Sequence, residues 1–280
     1  MPGYFGGVSL PRFYVRPEDW AADSPILLGA EAHHARDVLR LRAGDQAVLF
    51  DGRGHELTAE VSEIGRREIR FSVLQEREVP PRPCRITLAQ AIPKGKNMDL
   101  IVQKAVELGA AEIVPIISER TVVSLNEKEG RSKQAKWEQI VIEACKQCGQ
   151  SWMPDVAEPR SLKEFFQAQT SAVSGRPPSP RLRRGSSSYA GEELKLVASL
   201  QENSLHLKEI LRKYETEHEA RPTRVTVLIG PEGDFTPMEY ANASEAGFQA
   251  ITLGPIILRV ETAAIFCLSV LSYELLGAED

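Results

Sequence analysis

A chain of 280 residues that is 42% hydrophobic and 26% charged is long enough for one or two domains with apolar cores, and its composition excludes disordered and fibrous classes. The formal net charge of −5 excludes a global basic field, so any contact with nucleic acid must be local. No apolar run approaches membrane-spanning length. The N-terminal MPGYFGGVSLPRFYV lacks both a signal-peptide core and the Arg/Ser bias of a transit peptide, so a cytoplasmic location without membrane contact is expected.

Residues 12 to about 78 read as strands and turns. RFYV, QAVLF, LTAEVSEI and EIRFSVL carry β-branched and aromatic residues in partial alternation, with turn chemistry at Gly44-Asp45 and at Asp51–Gly54. One helix, EAHHARDVLRL, interrupts them, with Ala32, Ala35, Val38 and Leu39 on one face. The expected product is a small β domain of barrel size. The proline-rich EREVPPRPCR then reads as a linker.

From 84 to 277 the period changes. RITLAQAI predicts a strand, MDLIVQKAVELGA a helix ended by Gly109, and EIVPII a second strand, a spacing that implies a parallel crossover and an α/β domain with a buried parallel sheet. A long helix, KQAKWEQIVIEACKQCG, and a short one, SLKEFFQAQ, follow. The stretch at about 171–191 is dense in Ser, Pro, Gly and Arg and reads as a surface loop or disordered insertion. Four cysteines make no disulfide framework in a chain this long, and the Cys145/Cys148 pair lacks the second half of a zinc site, so these are expected to be small core residues. His33-His34 has no Cys or acid spacing around it, and no metal is expected.

The C-terminal third is clearest. VTVLI has the continuous apolar character of a central parallel strand, and Thr236-Pro237-Met238-Glu239 predicts a capping box with proline at the first helical position. QAITL is the next strand, and a last helix runs from about Glu261 to Gly277, apolar on nearly every face. Two strand ends, GPEGD (230–234) and GPIILRVET (254–262), share Gly-Pro punctuation and should sit side by side if their strands are neighbours. Such loops gather at the carboxyl ends of parallel strands, where ligands bind, although a tight turn alone would also explain GPEGD. Glu232 and Asp234, with no P-loop Lys or Ser/Thr, argue against a phosphate cradle and for a neutral or cationic ligand.

LIGPEGDFTPMEYANASEAGFQAITLGPIILRVETAA resembles the C-terminal signature of the RsmE family, the 16S ribosomal RNA (uracil-N3)-methyltransferases of the SPOUT class. QAIPKGKNMDLIVQKAVELGAAEIVPIISERTVV, IEACKQCGQSWMP, RFYV, HHARDVLRLRAGD and DGRGHE resemble the family in order, so the likeness covers most of the chain outside 160–222. The resemblance implies a PUA-like β-barrel that helps hold RNA, joined to a SPOUT α/β domain with a C-terminal trefoil knot, a rare exception to the rule against threading. It also implies methylation of a uridine at N3 in 16S rRNA or the assembled small subunit, with S-adenosylmethionine (SAM) as cofactor, by a homodimer.

The cofactor positions it implies are Leu228, Ile229, Gly230, Glu232, Gly233, Leu253, Gly254, Ile257, Leu258 and Thr262. The RNA positions are Arg12, His34, Arg40 and Arg42 in the first domain and Lys94, Lys104, Arg120 and Gln147 in the second. Uracil N3 must lose a proton, so the motif's Glu232, Glu261 and Arg259 are the candidates for catalysis. The second loop usually reads GPRILRTETA in this family; here Ile256 replaces the arginine and Val260 the threonine, while Gln150 stands for a common arginine and Asp234 for a second glycine. A catalytically silent RNA-binding or ribosome-assembly protein on the same scaffold is the competing reading, and the same chemistry on another RNA a third.

Overall fold

The computed structural model describes residues 10–122, 125–172 and 193–277, side chains excepted at 170–172. The chain divides into two compact units: the first takes the chain up to Pro81 together with Ile142–Met153, the second the remainder. The Ser/Pro/Arg-rich segment lies almost wholly outside the described residues.

The first unit holds β1 (Arg12–Tyr14), β2 (Ile26–Leu28), α1 (Gly29–His33), β3 (Gln46–Phe50), β4 (His55–Ile64) and β5 (Glu68–Glu78). Its five strands form one mixed sheet in the order β1-β3-β4-β5-β2, with β1 parallel to β3, the other pairs antiparallel, and β1 and β2 at the edges. The alternation read from the sequence buries Phe13, Leu27, Leu49, Leu57, Val61 and Ile69 in one core. The helix expected over 31–41 is shorter. After α1 the chain takes a π-helical turn, His34–Val38, closed by the Leu39 N–H bond to the His34 carbonyl. That wider turn breaks the 3.6-residue phase. Ala32 and Ala35 stay buried, whereas Val38 and Leu39 are exposed instead of joining them.

In the second unit are β6 (Arg85–Ala91), α2 (Asn97–Glu107), β7 (Glu112–Ile117), most of α3 (Glu127–Cys148), β8 (Asp155–Val156), β9 (Arg160–Ser161), α4 (Leu162–Ala172), β10 (Leu194–Ala198), β11 (Leu205–His206), α5 (Leu207–His218), β12 (Arg224–Ile229), α6 (Pro237–Glu245), β13 (Gln249–Thr252) and α7 (Val260–Leu276). The last residues of α3 belong to the first unit. Every strand pair in the second unit is parallel, in the order β11-β13-β10-β12-β6-β7-β8, with β9 also on β7. β6 and β12, buried after their first residue, are the central strands their unbroken apolar runs implied.

Gly109 ends α2 at φ +81°, a conformation that favours glycine. The capping box of α6 is formed as expected: Thr236 Oγ1 accepts the Glu239 N–H and Glu239 Oε2 accepts the Thr236 N–H. Cys84, Cys145 and Cys267 are buried, but Cys148, near the C-terminal end of α3, is exposed, so the expectation of four core cysteines fails there.

One arrangement differs from expectation in a way that shapes the site. β12 and β13 are not neighbours, because β10 pairs with both and lies between them. β10 follows directly on the low-complexity stretch, where the sequence shows no punctuated strand of its own.

Candidate active site

At the carboxyl ends of β10, β12 and β13 lies a cleft of about 480 Å³, lined by Ala198–Leu200, by the loops after β12 and β13, by the first residues of α7 and by Asn97. The two Gly-Pro loops therefore meet around one cavity although a strand separates their own strands. β10 supplies the third wall.

Of the cofactor positions expected, Ile229, Gly230, Glu232, Leu253, Gly254, Ile257 and Leu258 line this cleft. Three do not. Leu228 points into the core, as strand alternation requires when Ile229 faces the cleft. Gly233 lies beside Arg120, whose Nη1 donates to its carbonyl at 2.6 Å. Thr262 is exposed on the first turn of α7. Gly254 sits at φ +115° with nothing within 4 Å of where a Cβ would be, so backbone conformation, not crowding, demands glycine there.

All three catalytic candidates line the cleft. Glu232 Oε1 accepts the backbone N–H of Lys94 at 2.9 Å, and Glu261 Oε2 accepts from Asn97 Nδ2 at 3.2 Å. Glu232 thus grips the loop between β6 and α2, and Glu261 the first residue of α2, each with one oxygen, keeping the other. Arg259, the N-cap residue of α7, is exposed and makes no ion pair among the described residues. Three carboxylates, from Glu232, Asp234 and Glu261, face one guanidinium around the cleft. That balance suits a cationic ligand and disfavours a phosphate.

Asp234 occupies the left-handed region at φ +59°. Glycine costs least there, but Asp is among the few side chains that tolerate it. Its Oδ1 accepts the Phe235 N–H at 2.8 Å and the Tyr240 hydroxyl at 2.7 Å. Burial is the main force holding the Tyr240 hydroxyl well above its ordinary pKa, with the Asp234 carboxylate adding to it.

The RNA positions are scattered. In the first unit Arg12 is largely buried, bonded to Glu56 at 2.8 Å and Ser151 Oγ at 3.0 Å and stacked over Phe50, which makes it a structural cation. His34 Nδ1 lies 3.2 Å from Lys146 Nζ, while Arg40, Arg42 and Gln147 are exposed. In the second unit Lys104 pairs with Glu107 at 2.7 Å and Lys94 is exposed. Ser199, Leu200 and Asn97 are cleft residues that sequence reasoning missed. The alternating LKLVA before Ser199 was the available signal.

Parallel strands whose carboxyl-end loops enclose an acidic, glycine-lined cleft define a ligand-binding α/β enzyme architecture. Residues 80–272 match the RNA methyltransferase domain and residues 27–74 the RNA methyltransferase PUA domain. The ribosomal RNA small subunit methyltransferase E of a Synechocystis strain is 30% identical over 260 residues, spanning 92% of this chain and 76% of that protein, and that of Bacillus subtilis is 26% identical over 249 residues, 89% of each. A crystal structure of the same enzyme from Neisseria gonorrhoeae, bound to S-adenosyl methionine, superposes with TM-score 0.76 at 32% identity, covering 95% of this chain and 98% of that one. The chain belongs to the ribosomal RNA small subunit methyltransferase E family.

Proposed function

We propose that this protein methylates N3 of a uridine in small-subunit ribosomal RNA with SAM as donor, and that it works in the cytoplasm as a homodimer. The observation that carries the reading is the cleft at the ends of β10, β12 and β13, in a fold shared along nearly its whole length with a relative crystallised with SAM. The cleft fits that cofactor: Ile229, Leu253 and Leu258 offer apolar walls, Gly254 leaves open space, and the excess of carboxylates suits a sulfonium.

When bound, SAM supplies an electrophilic methyl group to a nucleophile placed in line with it. The protein's part is to hold uracil there and take the N3 proton. Glu232 Oε2 and Glu261 Oε1 are the oxygens that remain for that proton, since Lys94 N–H and Asn97 Nδ2 occupy their partners. Arg259 is placed to stabilise negative charge on the uracil carbonyls or to hold a phosphate. Exposed Arg40 and Arg42 supply local cations for RNA on an acidic chain. Phe266 and Tyr273, at 45% and 83% exposure on the apolar α7, support a second copy against that helix. The parallel crossover that carries the chain from β12 past β10 to β13 is compatible with the trefoil knot that the family implies.

Ile256 supports a second reading, a silent RNA-binding protein, because this exposed apolar residue stands at the cleft where the family has an arginine. The two readings separate in one experiment. Small subunits from a host lacking the modification are incubated with labelled SAM and the protein, and the nucleosides are identified by mass spectrometry. Appearance of 3-methyluridine is expected; SAM and RNA binding with no methylated nucleoside would sink the enzyme reading.

A further inference from the structure

We propose that Asp234 and Tyr240 form a clasp that fixes the loop after β12 against α6, and so positions the SAM-facing backbone of Gly230–Glu232. The inference rests on the SAM reading of the cleft. Asp234 belongs to the loop and Tyr240 to α6; the tyrosine hydroxyl also lies 3.3 Å from the Ala198 carbonyl, which itself lines the cleft. A hydroxyl has one proton, and the 2.7 Å approach to a carboxylate makes the better hydrogen bond, so the Ala198 contact is the weaker of the two. The ring is held from the side by an edge-on contact with Phe235 at 5.7 Å, and only 9% of Tyr240 is exposed.

The clasp closes a short path through two walls of the cleft. Asp234 N–H donates to the Pro231 carbonyl at 3.0 Å, so the turn that presents Glu232 is closed by the backbone of the same residue whose side chain binds Tyr240. A Cβ on Gly230 would meet Phe235 ring carbons at 3.3 Å and Asp234 Oδ1 at 3.4 Å, which shows how tightly the loop wraps these two side chains. With a glycine at 234 the backbone would adopt φ +59° freely but the side-chain tie to Tyr240 of α6 would be lost. Asp234 therefore exchanges local freedom for an anchor. It acts as a positioning residue, since its carboxylate already holds two donors.

Three variants test this on the full-length protein. Asp234→Gly keeps the backbone conformation and removes the anchor; Tyr240→Phe keeps the packed ring and removes the donor; Asp234→Asn keeps an acceptor oxygen and tolerates positive φ. Calorimetry is expected to show SAM binding weakened about ten-fold, on the order of 1.4 kcal/mol, in the first two, with Asp234→Asn near the unaltered protein. The Asp234→Gly/Tyr240→Phe double variant should lose no more than either single one, because both remove the same interaction. RNA affinity should stay unchanged and KM for SAM should rise. Binding of SAM within two-fold of normal by both single variants, losses that add, or failure of Asp234→Asn to restore binding would each overturn the clasp. If the unaltered protein bound no SAM, the cofactor reading would fall and the clasp with it, whereas normal SAM binding by every variant would remove the clasp alone.

Discussion

Replacing Glu239 by alanine should destabilise the second unit by about 2 kcal/mol. The side chain is 5% exposed and its two oxygens serve different elements: Oε2 accepts the Thr236 N–H at 2.9 Å within the capping box, and Oε1 accepts the Glu119 N–H at 2.9 Å beyond the end of β7. Removing both acceptors orphans two backbone donors, and an orphaned buried donor costs about 1–3 kcal/mol. Glu119 is exposed and a groove opens beside it, so water replaces part of the loss and the low end of the sum applies. For a unit of this size that corresponds to a fall in Tm of roughly 4–8 °C. Urea and thermal unfolding followed by circular dichroism measure it. Thr236→Ala, which removes only the hydroxyl acceptor of the Glu239 N–H, should cost about 1 kcal/mol, and the double variant less than the sum. A change below about 0.5 kcal/mol for Glu239→Ala, the range of an ordinary surface substitution, would refute the assignment of these bonds.

Further outcomes follow from single positions. Gly54→Ala should destabilise the first unit by roughly 2–4 kcal/mol in urea unfolding, because Gly54 is at φ +97° and a Cβ would fall 2.8 Å from the Trp152 ring and from the Val79 carbonyl oxygen. Ile256→Arg should tighten RNA binding and steepen its salt dependence by about one phosphate contact, with SAM affinity unchanged; an unaltered salt slope would show that position 256 does not face RNA. Burial pushes the Cys84 and Cys267 thiols up to about 12, so at pH 8 a thiol reagent should modify Cys148 and spare those two until the protein unfolds. Because their folded pKa values lie above the unfolded value, the stability they favour is fully present below about pH 8.5 and is lost as pH rises from there towards about 12.

The sequence by itself determined what depends on neighbours along the chain. Unbroken apolar runs marked β6 and β12 as central strands, the Thr236–Glu239 spacing fixed the start of α6, and glycines at 109 and 254 marked backbone that side chains do not readily adopt. The motif around Gly230 and Gly254 also located the cleft, since strand ends and their loops are local features. What the tertiary structure decided concerns residues far apart in sequence. Only folding inserts β10 between β12 and β13 and so adds Ser199 and Leu200 to the wall. Only folding joins Arg12, expected as a cation for RNA, to Glu56 and Ser151, partners 44 and 139 residues away. A run of letters carries periodicity, caps and turns because these are set within a few residues. Which charges remain unpaired, and which side chains share a cavity, depends on contacts across the sheet that no local pattern encodes.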